Sequence, residues 1–349
     1  MPLRTSPGNS CRFEGCTLTG ALSVTTAVRD SASIVHGPAG CAHHNFSLLH
    51  TIALDQDAMS FPCIVSSGML DTEVVFGGED ALHAAIRSAV AQGVSSIHVL
   101  STCIAETIGD DVAAVCNRDW DVPVIRVPTA GFLGGSFQKG VNNALAAIAA
   151  TAPPSDRTGP LRRVNVIGEK NLEYEVEENY AEVARLLSLL GLSVNLRFVR
   201  YITVADVDRL KDASLNILRE KGMEQTGNEL AARFHTPYLD SFPSGLSSTT
   251  GFLVNAGVLC GVDYQEAVAR ELEYQQGALS RFSDLSGRCI SLPPSGCGDT
   301  VASAVREVAG LLGITIGPHG TRVPVPYEPP VGTGGVVRML HRWRRALHA

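Results

Sequence analysis

Three of the nine cysteines stand where a chain could present thiolates to a metal. The run I-V-H-G-P-A-G-C ends at Cys41, and S-T-C-I-A-E-T-I-G-D-D carries Cys103 near its start. Both fragments read as a strand followed by a turn, so each thiol sits just past a strand's carboxyl end. Loops at that end of a parallel sheet are where ligands bind, so the two thiols can face one place. Cys16 precedes T-L-T-G-A, a small-residue turn that lets backbone approach a bulky inorganic group. Soft thiolates from three separate loops suit an iron–sulfur cluster, which wants a dry pocket with amides aimed at sulfur. Gly37 and Gly40, in the turn before Cys41, would expose such N–H groups to the cofactor.

The same residues leave other readings open. Buried free cysteines commonly serve as small apolar side chains. Cys41 with His43 and His44 could form a nucleophile–base pair, although adjacent histidines on a loop also suit a surface or supporting role. Glu106, Asp110 and Asp111 could act as acid–base groups. Alternatively they favour the positive end of a helix and pin the loop that carries Cys103. Arg219, Lys221 and His235 could meet an anionic substrate, or be structural and solvated.

At 349 residues the chain has room for two or three domains and a buried core. Its 45% hydrophobic content, 6% aromatics and 34 scattered glycines describe an α/β protein, neither disordered nor disulfide-built. A net charge of −7 with no basic stripe before the last ten residues argues against a nucleic-acid binder. The closing H-R-W-R-R-A-L-H reads as the wet face of a terminal helix. Residues 1–10 lack the apolar stretch of a signal peptide, and no run is long enough to cross a membrane. The expected location is therefore cytoplasmic, where thiols stay reduced and disulfides are rare.

Strand-like runs alternate with helix-like ones, the pattern of parallel βαβ units. Strands are expected over 33–36, 63–66, 97–101 and 124–127, with helices near 21–29, 79–92 and 108–115. The Pro-rich stretch T-A-P-P-S-D-R-T-G-P at 151–160 reads as a linker. Beyond it, strands are expected over 164–167, 194–199 and 215–218. One helix there places Tyr180, Val183, Ala184 and Leu187 on one stripe and stops at Gly191, and a second lies near 227–234. A long helix over 264–282, a short strand over 289–292, a helix near 300–312 and a terminal helix complete the chain. The expected fold class is α/β, with Rossmann-like parallel-sheet domains. These span 1–152, carrying the three cysteines, 161–260, and 261–349, where the long helix precedes a shortened third domain.

The stretches C-T-L-T-G-A, I-V-H-G-P-A-G-C, F-G-G-E-D-A-L, S-T-C-I-A-E-T-I-G-D-D and P-V-I-R-V-P-T-A-G-F together resemble the nitrogenase component 1 superfamily. That group includes both molybdenum–iron protein subunits and the cofactor-assembly scaffold. It also includes dark-operative protochlorophyllide reductase and the nickel-tetrapyrrole reductive cyclase. The resemblance is dense from Cys16 to about Ala150 and looser, through V-I-G-E-K-N, to about Gly251. It implies that Cys16, Cys41 and Cys103 match the family's three ligands to a cluster at a subunit interface. That cluster is 4Fe-4S, or a larger one shared with a partner subunit. The implied partners are an ATP-dependent iron–sulfur reductase and a second component 1-like chain, in a homodimer or heterodimer. Cys11, in C-R-F-E-G-C, also resembles the family's opening motif and stays as a spare ligand.

Two departures from the family's pattern bear on function. Dinitrogen-reducing subunits carry a cofactor cysteine just after a strand resembling S-L-N-I-L, where residues 219–221 are Arg-Glu-Lys. Their cofactor histidine falls around 323–330, which here is V-P-V-P-Y-E-P-P. The resemblance therefore implies a reductase of a bulky, tetrapyrrole-type substrate, or a non-catalytic scaffold for metallocluster assembly, in place of dinitrogen reduction. In the shortened third domain, S-L-P-P-S-G-C-G-D-T places Cys297 at a strand-to-helix turn. It is either an extra ligand or part of a turn in which Asp299 or Thr300 caps the next helix.

Overall fold

Six consecutive buried residues, Ser31–His36, form β1, and six more, Ser96–Ser101, form β3. Burial of every position on a strand means that both faces are covered, the condition of a parallel sheet under helices. The computed structural model describes residues 15–55, 62–131, 135–155, 162–292 and 298–348. Cys11 and Cys297 lie outside the described residues, as do residues 156–160 of the expected linker.

β1, β2 (Ile64–Ser66), β3 and β4 (Val124–Val127) form a parallel sheet in the order β2-β1-β3-β4. A second parallel sheet repeats that order as β6-β5-β7-β8, from β5 (Arg163–Ile167), β6 (Ser193–Phe198), β7 (Leu215–Leu218) and β8 (Tyr238–Leu239). A short third sheet runs β10-β9-β11, from β9 (Cys289–Ser291), β10 (Thr315–Ile316) and β11 (Thr321–Arg322). The α/β parallel-sheet class expected from the sequence is what the protein adopts. No helix among the described residues is long and apolar enough to cross a membrane.

The period-2 alternation of a strand splits the first core. Ala32, Ile34, Ile97 and Val99 meet the 79–91 helix through Leu82, Ile86 and Ala89. Val35, Leu100 and Val127 face the helices Thr17–Thr25 and Phe137–Ala149. That second cluster runs without a break to Ile167, Phe198 and Leu218 of the second sheet. The two helices touch backbone to backbone. A Cβ on Gly20 would stand 2.0 Å from the Phe137 carbonyl oxygen, and one on Gly140 would stand 1.9 Å from that of Thr17.

Helices differ from expectation more than strands do. The helix expected near 21–29 starts at Thr17, because Cys16 already takes the extended N-cap conformation. The helix expected over 108–115 is two, Cys103–Ile108 and Val112–Cys116, parted where Gly109 turns left-handed at φ 81°. The 17-residue helix Ala39–Asp55 has no counterpart among the expected elements. Its buried stripe is Ala42, Asn45, Leu49 and Ile52, and the asparagine together with His43 and His44 masks the apolar period.

The C-terminal helix, Gly332–His348, is held at its start by two buried carboxylates. Glu182 accepts from the Gly334 N–H at 3.0 Å, and Glu271 accepts from the Thr333 hydroxyl at 2.5 Å. Arg185 lies between them, 2.8 Å from each.

The packing makes two expectations measurable. Gly20→Ala and Gly140→Ala should each cost at least about 2 kcal/mol in chemical denaturation, because the added carbon meets backbone that cannot swing aside. His98 is fully buried on β3, and neither ring nitrogen finds a partner among the described residues. Burial lowers its pKa to about 4, with Asp30 opposing weakly. The unfolded chain therefore takes up this proton first, and stability falls as pH drops from the ordinary histidine value toward 4. His98→Leu should remove up to about 3 kcal/mol of that acid lability, read from unfolding curves across the pH range.

Candidate functional site

In an open sheet of order 2-1-3-4, the connections leaving strands 1 and 3 diverge and leave a crevice at their carboxyl ends. The first sheet puts residues 37–41 after β1 and 102–103 after β3, on either side of that crevice. Cys41 lies in the first turn of the Ala39–Asp55 helix, not on a loop, and Cys103 opens the Cys103–Ile108 helix. Cys16 reaches the same region from the N-cap of the Thr17–Thr25 helix. Cys16 is exposed, and Cys41 and Cys103 are half-buried. Burial, and then the charges of Cys16 and Cys103, push the Cys41 thiol up. Cys41 thus lies within electrostatic reach of the other two thiols. Yet no three His, Cys, Asp or Glu groups among the described residues converge on a single ion. This donor set fits a group of several metal ions better than one ion, since a cluster spreads its ligands over different irons.

Around the thiols, the two glycines play different parts. A Cβ on Gly40 would meet nothing within 4 Å, so the space beside Cys41 is open. Gly37 at φ 153° is pressed against Thr102, whose Oγ1 would lie 2.0 Å from an added Cβ. Its N–H is donated to Ser67 Oγ at 3.0 Å, so Gly37 serves the approach of the two strand ends and does not hold its amide toward the crevice. Thr17, next to Cys16, is 1% exposed, and its Oγ1 has no partner among the described residues. Gly131 and Gly135 pack directly onto that hydroxyl.

The carboxylates after Cys103 are structural in this arrangement. Asp110 accepts from His36 Nε2 at 2.9 Å and from the Gly78 N–H at 3.0 Å, joining the end of β1 to the turn before the 79–91 helix. His36 is fully buried, and burial keeps its pKa below the usual value despite Asp110. The neutral ring donates to Asp110 and accepts from Ser67 at 3.0 Å. Asp111 accepts from Ala114 N at 2.9 Å as an N-cap, and Glu106 lies 3.6 Å from Arg126.

The second sheet repeats the crevice with charges in place of thiols. After β5 come Glu169, Lys170 and Glu173; after β7 come Arg219, Glu220 and Lys221. Lys170 Nζ lies 2.9 Å from Glu173 and 2.7 Å from Glu220, and Arg219 Nε lies 2.7 Å from Glu173. Arg219 also pairs with Glu328 on the segment that leads to the C-terminal helix. Burial opposes the charge on Arg219 and Lys170, but the surrounding carboxylates prevail and hold both protonated. Arg219, Glu220, Lys221 and Glu328 line a 720 Å³ cleft together with Thr300, Ser303 and Glu307. The size suits a small-molecule site. Arg219 is thus committed to two carboxylates and is not a free cation for substrate, whereas exposed Lys221 does line the cleft. His235 lies elsewhere, on a 460 Å³ cavity beside Arg233. A signal for this cluster exists in the sequence, as G-E-K-N-L-E and R-E-K bring opposite charges to the two strand ends that flank a crevice.

A family model, nitrogenase component 1 type oxidoreductase, matches residues 16–288. The chain belongs to this family. Among nitrogenase component 1 relatives, the cofactor biosynthesis protein NifE of Clostridium pasteurianum is 26% identical over 78% of this chain and 59% of its own length. One subunit of the light-independent protochlorophyllide reductase of a Bradyrhizobium strain is 26% identical over 74% of this chain and 51% of its own. The solved structure of nitrogenase Cp1 at pH 5 superposes with a TM-score of 0.65 at 21% identity, covering 87% of this chain and 63% of that one. This component 1 chain thus spans about half to two-thirds of the length of these proteins.

The His36–Asp110 clamp can be tested directly. Asp110→Ala leaves a buried ring N–H and the Gly78 amide unpaired, and should cost about 1–3 kcal/mol in chemical denaturation. A change under a few tenths would mean that the pair does not brace the β1 end.

Proposed function

We propose that the chain is the iron–sulfur subunit of a nitrogenase-like, two-component reductase. Electrons come from an ATP-dependent iron–sulfur reductase and serve to reduce a bulky unsaturated organic substrate, tetrapyrrole-type, held in the 720 Å³ cleft. The observation that carries this reading is the division of labour between the two crevices. Three thiols stand at the first, two of them within electrostatic reach of Cys41, while the described lining of the second offers oxygen and cationic nitrogen groups without sulfur or imidazole. A cleft so lined suits an organic guest better than a soft metallocluster.

On this reading Cys16, Cys41 and Cys103 hold the cluster, and the open space at Gly40 admits it. When bound, the cluster supplies one-electron chemistry. Three thiolates leave a four-iron cluster one ligand short, so a further ligand comes from a partner subunit, in a homodimer or heterodimer. Exposed apolar side chains support such a cover. The Asp71–Phe76 helix, with Val75 and Phe76 exposed, the latter at 87%, borders the helix of Cys103, on which Ile104 is also exposed. Membership of the family and the relative named as a protochlorophyllide reductase subunit support the redox role.

A second reading draws on the relative named as a cofactor biosynthesis protein: a scaffold on which a metallocluster is built and handed on. Turnover separates the two, because a scaffold consumes no reductant beyond its cargo. The cluster assignment is tested by anaerobic purification, iron quantitation and EPR. Cys16→Ala, Cys41→Ala and Cys103→Ala should each lower bound iron severalfold, while Cys260→Ala, at a distant helix end, leaves it intact. Undiminished iron in the first three would sink the assignment.

A further inference from the structure

The ion-paired cluster at the second crevice sets three carboxylates against two cations. Lys170 and Arg219 face Glu173, Glu220 and Glu328. Glu173 is 1% exposed and bonded to both cations, which hold its carboxyl below the usual range against the opposing effect of burial. Glu220 is 34% exposed and has water to stabilise its charge. Among the described residues Glu328 pairs with Arg219, which it shares with Glu173, and its side chain, 20% exposed, opens onto the cleft. We propose that Glu328 carries an exchangeable proton at neutral pH and presents it to the cleft, with Arg219 retaining the carboxylate when the proton leaves.

Burial, the largest influence, lifts the Glu328 carboxyl to about 7. Glu173 and Glu220 push the same way, and Arg219 and Lys170 pull against them. The remaining charges nearby have partners of their own or face water. Glu307 accepts from the N–H groups of Leu246 and Ser247, and Glu175 pairs with Arg338 and Arg342 beyond the 325–330 segment. Asp240 and Lys221 are exposed at the rim.

The use of such a proton follows from the reductase reading, on which this inference rests for its substrate though not for the proton itself. Reduction of a C=C or C=N bond takes two electrons, here from the iron–sulfur reductase, and two protons. One proton leaves the Glu328 O–H and forms a new C–H or N–H bond on the substrate. The O–H electron pair stays on the carboxylate, paired with Arg219, and water returns a proton before the second transfer.

The test is a ¹³C-carboxyl NMR titration of the full-length protein, with infrared detection of a protonated carboxyl at neutral pH that shifts in D₂O. One glutamate titrating near 7 is expected, absent from Glu328→Gln and restored as a titrating carboxyl in Glu328→Asp. If the wild-type protein shows every glutamate completing its titration near the ordinary value of about 4.3, the proposal fails. The titration needs no iron and no substrate. Its failure is therefore distinguishable from loss of the cluster reading, which is decided by iron content in the cysteine variants.

Discussion

The crevice between the first and third strands of a parallel sheet is the constraint on which the rest of this molecule depends. Right-handed crossovers cover a sheet on both faces, and where their direction reverses, neighbouring strand ends are left without a covering turn. The order β2-β1-β3-β4 makes one such place and β6-β5-β7-β8 makes another. The short sheet, β10-β9-β11, begins the same pattern a third time. The protein fills the first with thiols and the second with ions. Neither filling is needed for the sheets themselves to form. The chemistry is therefore grafted onto strand ends whose position is already decided by burial.

The two fillings are held by different physics. At the first, small residues bring backbones together: Gly37 against Thr102, and Gly20 and Gly140 across a helix crossing with no room for a methyl group. The thiols are positioned by contact, and little charge is buried around them apart from Asp110. At the second, long side chains are taken out of water, which is favourable only when each charge finds partners. Lys170, Glu173 and Arg219 satisfy one another, and the surplus carboxylate is left at the edge of the cleft. A site built by charge depends on the protonation state of its members.

Much of this was legible in the sequence. Strands at 33–36 and 97–101 were legible because parallel strands buried on both faces carry mostly apolar residues, and 124–127 because valine and isoleucine flank its exposed Arg126. Cys41 and Cys103 could be placed at strand ends for the same reason. The helix carrying Cys41 was not legible, since its buried stripe includes Asn45 and its first turns include two histidines. The break at Gly109 was hidden because a left-handed cap looks, in sequence, like any glycine inside a helical run. Arg219 was read as a loop cation because its partners are 46 and 109 residues away, on Glu173 and Glu328. Pairing across such separations is a property of the assembled sheet, and no local pattern records it.

The carboxylates that receive the last helix set a timetable for biosynthesis. Glu182 and Glu271 are made long before Thr333 and Gly334, the residues whose hydroxyl and amide satisfy them. Until those residues leave the ribosome, the nascent chain carries two acids destined for burial with Arg185 as their shared cation. The segment that brings Glu328 to Arg219 precedes the same helix by a few residues, so the cleft and the latch are completed together. A nascent chain can therefore shape its thiol-bearing sheet early, yet it completes the 720 Å³ cleft only once Glu328 and the residues that follow it have been made. A chain that stopped before Glu328 would carry the first crevice without this wall of the second.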